Sequence, residues 1–290
     1  MESFVAIIKS LRPRQWVKNM FVFAALIFAA EFTNFRSVII TICAFALFSF
    51  VASSMYLIND VCDYEIDRRH PKKKFRPIAS DQVSRQIAIF LSVVLGISSL
   101  LISLIISPKL TLILAIYVVN NLLYSLKLKH VVILDILMVA SGFVLRAVGG
   151  ALAIDVPISS WFIIIIFLLT LFLAIVKRRQ EFLVIEKIGG KKRKVLDNYS
   201  VEMLDQMSNI VLPAVLVSYI FYTFNKFPGQ YEYFIFTVPF VIYGIFRYLY
   251  LIHKKGKGES PTEAFLTDVP LLLTVVLWAG VCAYLLYQFG

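Results

Sequence analysis

Residues 36–70 read RSVIITICAFALFSFVASSMYLINDVCDYEIDRRH. After Arg36 the run stays uncharged as far as Asn59. A helix over 36–59, at about 1.5 Å per residue, is long enough for a hydrocarbon core of about 30 Å. From Asp60 the sequence turns acidic, with Asp63, Glu65 and Asp67, and then basic at Arg68 and Arg69. That is a chain leaving a bilayer. In lipid every backbone donor and acceptor must be paired within the segment, so the run reads as helix and the fold class as all-α.

The same alternation extends over the whole chain. Nine spans are expected, at 17–31, 36–59, 84–106, 110–127, 131–153, 158–176, 207–225, 232–251 and 268–288. Composition agrees: of 290 residues 60% are hydrophobic and 16% charged, with mean hydropathy +0.82. A soluble domain is about 45–50% apolar and about 25% charged. A soluble enzyme, a disordered tail, a collagen-like fibre and a disulfide scaffold are all excluded. Little chain is left for a second domain, so residues 1–290 are expected to form one membrane domain. Cys43, Cys62 and Cys282 form no C-x-x-C pair and read as small buried side chains. The apolar run Met20–Ala30 looks like a signal-peptide core, but with so many spans behind it it reads as a retained first helix.

The charges orient the bundle. With nine spans, 24 of the 29 Lys and Arg residues fall on one side, and Arg36, Lys109 and Lys226 on the other. This asymmetry places the N-terminus in the cytoplasm and the C-terminus outside, in a multi-pass protein of the inner (plasma) membrane. It also accounts for the net charge of +11 without nucleic acid, since a basic face holds anionic membrane lipids.

The acids after the second span carry the first chemical signal. Pro71 and Pro77 limit any helix, so one is expected to run on to about His70. On it Asn59, Asp63 and Asp67 recur every fourth residue, and Asp60 flanks the stripe. Two like charges 4 Å apart cost about 4 kcal/mol at an effective dielectric of about 20. The cluster therefore calls for a counter-charge. Hard oxygen ligands suit Mg2+, which takes one or two carboxylates plus water and substrate phosphates. The six bases from Arg68 to Arg76 suit a phosphate or pyrophosphate. The competing reading is a solvated loop whose acids and bases pair with each other.

Further groups lie towards the same side. Lys127, Lys129 and His130 precede Asp135, and Arg146 lies deeper in the fifth span. A charge inside a membrane helix is costly and marks a functional position by default. Eleven residues of helix rise about 16 Å, so Asp135 and Arg146 cannot pair with each other. Lys177-Arg178-Arg179-Gln180-Glu181 either ends a helix or joins the site. Lys191–Lys194 reads as a lipid-surface patch, and Thr262 after Pro261 as a helix cap. Tyr199 and Asp205 receive no role. His70, His130 and His253 are dispersed, and no metalloprotease, nucleophile-elbow or phosphate-loop motif is present. Gly142, Gly149 and Gly150 read as close-packing positions.

At Asn59-Asp60-x-x-Asp63-x-x-x-Asp67 the sequence resembles the UbiA superfamily of intramembrane prenyltransferases. Leu11-Arg12-Pro13-Arg14-Gln15-Trp16-Val17-Lys18-Asn19, Tyr56-Leu57-x-Asn59-Asp60 and His70-Pro71-x-Lys73-x-Phe75-Arg76-Pro77-Ile78-Ala79 narrow the likeness to the branch that transfers a phosphoribosyl group. Leu128-Lys129-His130, Leu145-Arg146-Ala147 and Gly149-Gly150 agree with it. The resemblance implies a nine-helix bundle with its active site on the cytoplasmic face. It also implies Mg2+, and phosphoribosyl pyrophosphate and a polyprenyl phosphate as substrates. The product would enter cell-envelope glycan synthesis of the arabinan type.

Asn59 and Asp63 would then hold the metal, with Asp67 or Asp60 as a further ligand. Lys18, Tyr56, Lys73, Lys129 and Arg146 would position phosphates, with Arg76, Lys177 and Glu181 as further candidates. Asp135 completes the catalytic set with Asn59, Asp63 and Asp67. The prenyl-diphosphate branch carries a second Asp-x-x-x-Asp, whereas here Asp135 is followed four residues later by Val139. A prenyltransferase acting on an aromatic or other acceptor is the nearest alternative, and a lipid transporter without chemistry a more distant one. Isoprenoid length is left open. A homo-oligomer is compatible with the sequence but not specified by it.

Overall fold

The computed structural model describes residues 2–69, 73–188, 194–226, 231–255, 264 and 266–289. The expectations on His70, Pro71, Lys72, Lys191, Lys192, Arg193, Pro261 and Thr262 lie outside the described residues. The described helices are α1 (Glu2–Ser10), α2 (Ala24–Phe28), α3 (Phe35–Cys62), α4 (Tyr64–Arg68), α5 (Arg85–Ile106), α6 (Pro108–Leu126), α7 (Leu134–Ala153), α8 (Ser160–Ile188), α9 (Val201–Lys226), α10 (Tyr231–Phe234), α11 (Val238–Lys255) and α12 (Val269–Phe289). No strand occurs among the described residues. Among the described residues eight helices are long and apolar enough to cross a membrane, one fewer than the nine expected.

The missing span is the expected first one. Residues Pro13–Phe23 form a 3₁₀ stretch, followed by the short α2 and a 3₁₀ turn at Glu31–Thr33. Pro13 lacks an amide donor, and Ala30 sits at φ 57, in the left-handed region that ends a helix. The 3₁₀ stretch is tied to α3 by side chains. Asn19 donates to Ser49 Oγ at 2.9 Å, Trp16 Nε1 to Ser53 Oγ at 3.0 Å, and Ser53 Oγ to the Leu11 carbonyl at 2.8 Å.

The chain folds as two compact units. The first comprises Met1–Leu26, Glu31–Leu128 and Leu145–Pro157. In it α3 packs on α5 and α6. The buried residues of α5 are Ala88, Ser92, Ser99 and Ser103, whereas Phe90, Ile97, Leu101 and Ile105 are exposed. Small and polar side chains face protein and large apolar ones face outward, the reverse of a soluble helix and the pattern lipid requires. Ser54 and Ser92 are hydrogen-bonded across the α3–α5 interface, and a Cβ on Gly96 would lie 3.2 Å from Ser54 Oγ. Gly149 and Gly150 meet their expectation as close-packing sites. A Cβ on Gly150 would stand 2.0 Å from the Val22 carbonyl oxygen, and one on Gly149 2.5 Å from the Phe48 ring.

The second unit comprises Ile27–Ala30, Lys129–Val144 and Ile158–Gly290. Its main pairing is α8 with α9, and α11 packs on α9 and α12. Ile136, Ala140, Ile175, Leu196 and Leu204 form one buried apolar cluster. Phe172, Tyr248, Leu251 and Leu271 form another. Cys282 is buried as expected, but Cys43 and Cys62 are exposed, so the single expectation for the three cysteines is corrected at two of them.

Candidate active site

In the first unit the acid stripe sits where α3 gives way to α4. The helix bends at Asp63 (φ −91, ψ 7), so it does not run unbroken towards residue 70. The hydrogen bonds still step by four, from Asp63 N–H to Asn59 O and from Asp67 N–H to Asp63 O. Asn59 and Asp63 share a face, and the Asn59 amide donates through Nδ2 to Asp63 Oδ2 at 3.1 Å. That bond leaves the amide oxygen Oδ1 unused by it.

Asp60 and Asp67 are both buried and both held by arginine. Arg76 Nη1 donates to Asp60 Oδ1 at 2.9 Å and to Asp67 Oδ2 at 2.5 Å. Arg12 Nη2 donates to the same Oδ1 of Asp60. The Arg12 guanidinium lies over the Tyr56 ring, 5.1 Å from its centroid. Oδ1 of Asp67 is buried and makes no hydrogen bond, and the Lys73 ammonium stands 3.9 Å from it. A buried carboxylate oxygen without a donor invites a cation.

Among the described residues no three His, Cys, Asp or Glu groups gather closely enough to hold a metal by themselves. The expected ligands Asn59 and Asp63, with Asp67 or Asp60 as a further one, would therefore need oxygen donors from water or substrate beside them. The donor set still fits Mg2+, which needs only one or two protein carboxylates beside water and substrate phosphate. Asn59, Asp63 and the bare oxygen of Asp67 have the right chemistry.

The same unit concentrates cations. Arg146 is buried on α7, where its Nε donates to Asn19 Oδ1 and its Nη2 to the Tyr117 hydroxyl, each at 2.6 Å. Its guanidinium lies 4.7 Å from the Tyr117 ring centroid. Neither acceptor carries a charge. Lys18 makes no hydrogen bond or ion pair among the described residues, and the charged groups acting on it are Arg146 and Arg12. Such a grouping of positive charge favours the binding of an anion.

In the second unit Asp135 is fully buried. Its Oδ2 accepts from Arg178 Nε and its Oδ1 from the Tyr199 hydroxyl, both at 2.7 Å. Tyr199 in turn accepts the Ile133 N–H at 2.7 Å. Ile133 has φ 70, a rare backbone for a β-branched residue. Arg178 also donates to Glu181 at 2.6 Å, and Arg179 to Asp205 at 2.5 Å. Burial, and next the hydrogen bond to Asp135, raise the Tyr199 hydroxyl above the ordinary tyrosine range.

The expected site residues are thus sorted. Lys18, Tyr56, Asn59, Asp60, Asp63, Asp67, Lys73, Arg76 and Arg146 belong to the first unit. Asp135, Lys129, Lys177 and Glu181 belong to the second. Asp135, expected to act directly, has both oxygens engaged by Arg178 and Tyr199. Glu181, expected to bind substrate, is paired with Arg178. Lys129 is buried and Lys177 exposed. Arg12, Asn19, Tyr117 and Arg178 bond to these groups without having been singled out, although Arg12 and Asn19 lie in the quoted motif from Leu11 to Asn19 and Arg178 in the run from Lys177 to Glu181. Tyr117 was marked by no more than a hydroxyl inside an apolar stretch.

A model of the UbiA prenyltransferase family matches residues 19–269. The chain is 36% identical over 295 residues to a decaprenyl-phosphate phosphoribosyltransferase of Mycolicibacterium smegmatis, covering 97% of this chain and 92% of that one. A protein of the same name from Corynebacterium glutamicum is 36% identical over 279 residues, covering 93% and 83%. The fold matches a UbiA homolog from Archaeoglobus fulgidus bound to GPP and Mg2+. The TM-score is 0.73 and the identity 17%, over 97% of this chain and 99% of that one.

Proposed function

Because the chain belongs to the UbiA prenyltransferase family, we propose that it transfers 5-phosphoribosyl from phosphoribosyl pyrophosphate to a polyprenyl phosphate, releasing pyrophosphate. The relatives that carry the name decaprenyl-phosphate phosphoribosyltransferase match nearly their whole length, which supports this substrate pair. The observation that carries the reading is in the first unit. Hard oxygen donors at Asn59, Asp63 and Asp67 share that unit with Arg12, Lys18, Arg76 and Arg146. One diphosphate needs fewer cations than this. A donor with phosphate at two ends, plus a phosphorylated acceptor, uses them.

Asn59, Asp63 and Asp67 would hold Mg2+. When bound, the metal supplies charge neutralisation at the departing pyrophosphate. The acceptor phosphate is an anion near pH 7 and needs no strong base, which agrees with the dispersed histidines. One of its oxygens forms the new bond to the anomeric carbon as the bond to the pyrophosphate oxygen breaks, with inversion. Lys18, Arg146 and Lys73 orient the anions, and Lys129 and Lys177 are further candidates for the same task. Catalysis rests on positioning and electrostatics. The isoprenoid lies against apolar helix faces, each buried CH₂ contributing about 0.8 kcal/mol.

The setting belongs to the same proposal. Residues 1–290 act as one domain of the plasma membrane, with the N-terminus and the basic loops in the cytoplasm, and the product feeds an envelope glycan. Purified protein in detergent or lipid, given both substrates with and without Mg2+, should yield a phosphoribosylated lipid by mass only when the metal is present. Consumption of prenyl diphosphate with an aromatic acceptor, and no phosphoribosyl product, would transfer the protein to the prenyltransferase alternative. Retention of the donor's configuration in the product would overturn direct displacement.

A further inference from the structure

We infer that Asp60 is a positioning residue, the carboxylate that aims Arg12 and Arg76 at the donor's pyrophosphate, and that it is not a ligand of the metal. The inference rests on the substrate reading above for its choice of donor, but its geometry stands by itself.

Successive helical residues are about 100° apart, so Asp60 lies beside, and not on, the line that brings Asn59 to Asp63. The hydrogen bonds agree with that separation. Asn59 and Asp63 bond to each other, whereas Asp60 takes its partners from the N-terminal segment and from the loop after α4. Asp60 is 3% exposed. Its Oδ1 accepts from Arg12 Nη2 and Arg76 Nη1 together. A carboxylate oxygen has two in-plane lone pairs. Both are taken up by charge-assisted hydrogen bonds, so that oxygen is committed to the two guanidiniums.

The two guanidiniums are held on their other sides as well. Arg12 has φ 53 and ψ 56, a left-handed backbone immediately before Pro13. Its N–H donates to the Lys9 carbonyl at 3.1 Å, and its carbonyl accepts from Gln15 N–H at 2.8 Å. The guanidinium rests on Tyr56. Arg76 is fixed by Asp67 as well as Asp60. Both arginines remain about a quarter exposed while the carboxylate between them is buried. The buried acid anchors, and the accessible edges of two pre-aimed forks remain for a diphosphate.

The test separates a metal ligand from a positioning group. Mn2+ binding is followed by electron paramagnetic resonance at saturating inorganic pyrophosphate. Donor kinetics are measured with phosphoribosyl pyrophosphate. Asp60→Asn should leave Mn2+ affinity within about twofold of the native protein. It should raise KM for the donor about tenfold with little change in kcat, the loss expected from misaiming one charge-assisted hydrogen bond. Asp63→Asn should abolish Mn2+ binding. Arg12→Lys keeps the charge, loses the fork and should reproduce the donor effect. The double variant should be no worse than either single, because the two residues act as one unit.

Weakened Mn2+ binding in Asp60→Asn, or an unchanged donor KM, overturns the inference. An equal fall in kcat and rise in both substrates' KM values would make the role merely structural and overturn it too. If Asp60→Asn does not fold, Arg12→Lys decides alone on the same two readouts. Should the native protein fail to use phosphoribosyl pyrophosphate, the substrate reading falls. Pyrophosphate binding by calorimetry then tests Asp60 independently, with the variants expected to weaken it about tenfold at unchanged Mn2+ affinity.

Discussion

Arg178 reaches across 43 positions of sequence to Asp135 and donates from Nε to Oδ2 at 2.7 Å, with both side chains almost completely buried. Truncating one member of a buried ion pair leaves the other charge without compensation, at a cost of about 3–5 kcal/mol. Asp135→Ala should therefore destabilise the protein by about that amount. Joint replacement by Asp135→Leu and Arg178→Met should cost much less than the two single changes added. Thermal unfolding in detergent measures both. A stable Asp135→Ala protein with no turnover would place Asp135 in contact with substrate instead.

Tyr199 is the second partner of the same carboxylate. Tyr199→Phe removes the donor to Asp135 Oδ1 and the acceptor of the Ile133 N–H. Leaving two such buried groups without partners costs about 1–3 kcal/mol each. The pH sign follows from the raised folded-state pKa of Tyr199. A raised value means that its contribution is complete below the unfolded tyrosine value of about 10 and is lost only as pH rises through the higher folded one. The stability difference between native protein and Tyr199→Phe should be flat from pH 6 to about pH 9 and shrink only in stronger alkali. A step near neutral pH would refute this assignment.

These two residues also mark the limit of what the sequence discloses. Eight of the spans were legible to within a few residues at most ends because hydropathy over about 20 residues is a local property. The first was not, because the 3₁₀ stretch Pro13–Phe23 owes its shape to bonds from Asn19 and Trp16 to serines of α3, about thirty residues on. The acid stripe was legible as a helical repeat. Its division into arginine-held Asp60 and Asp67, and a separate Asn59–Asp63 pair, was not, since Arg12 and Asp60 lie 48 positions apart. That Asp135 and Arg146 do not pair followed from helix rise alone. Which partners they take instead depends on tertiary packing.

Glycines give a stability test that does not touch the chemistry. In Gly150→Ala the added Cβ meets the Val22 backbone at 2.0 Å from its carbonyl oxygen, and a backbone cannot swing aside as a side chain does. Overpacking of this kind costs about 1–3 kcal/mol or more. Gly280→Ala has nothing within 4 Å and should be neutral or slightly stabilising, since alanine is the better helix former. Parallel melts of the two variants check the contrast. Equal stabilities would mean that the 3₁₀ stretch and α7 do not approach as closely as described.

Lys18 offers the opposite trade. Its charged neighbours are Arg146 and Arg12, and it makes no hydrogen bond or ion pair among the described residues. In the protein alone its ammonium meets repulsion, a cost retained only where an anion recovers it. Lys18→Ala should melt at the same temperature as the native protein or higher, while KM for phosphoribosyl pyrophosphate rises about tenfold or more. Lys18→Arg should recover part of that loss, because it restores charge but not the compact ammonium. The effect should also weaken in high salt, as mobile ions screen the partly exposed cluster. A destabilised Lys18→Ala protein with unchanged donor KM would show that Lys18 supports the fold and not the substrate.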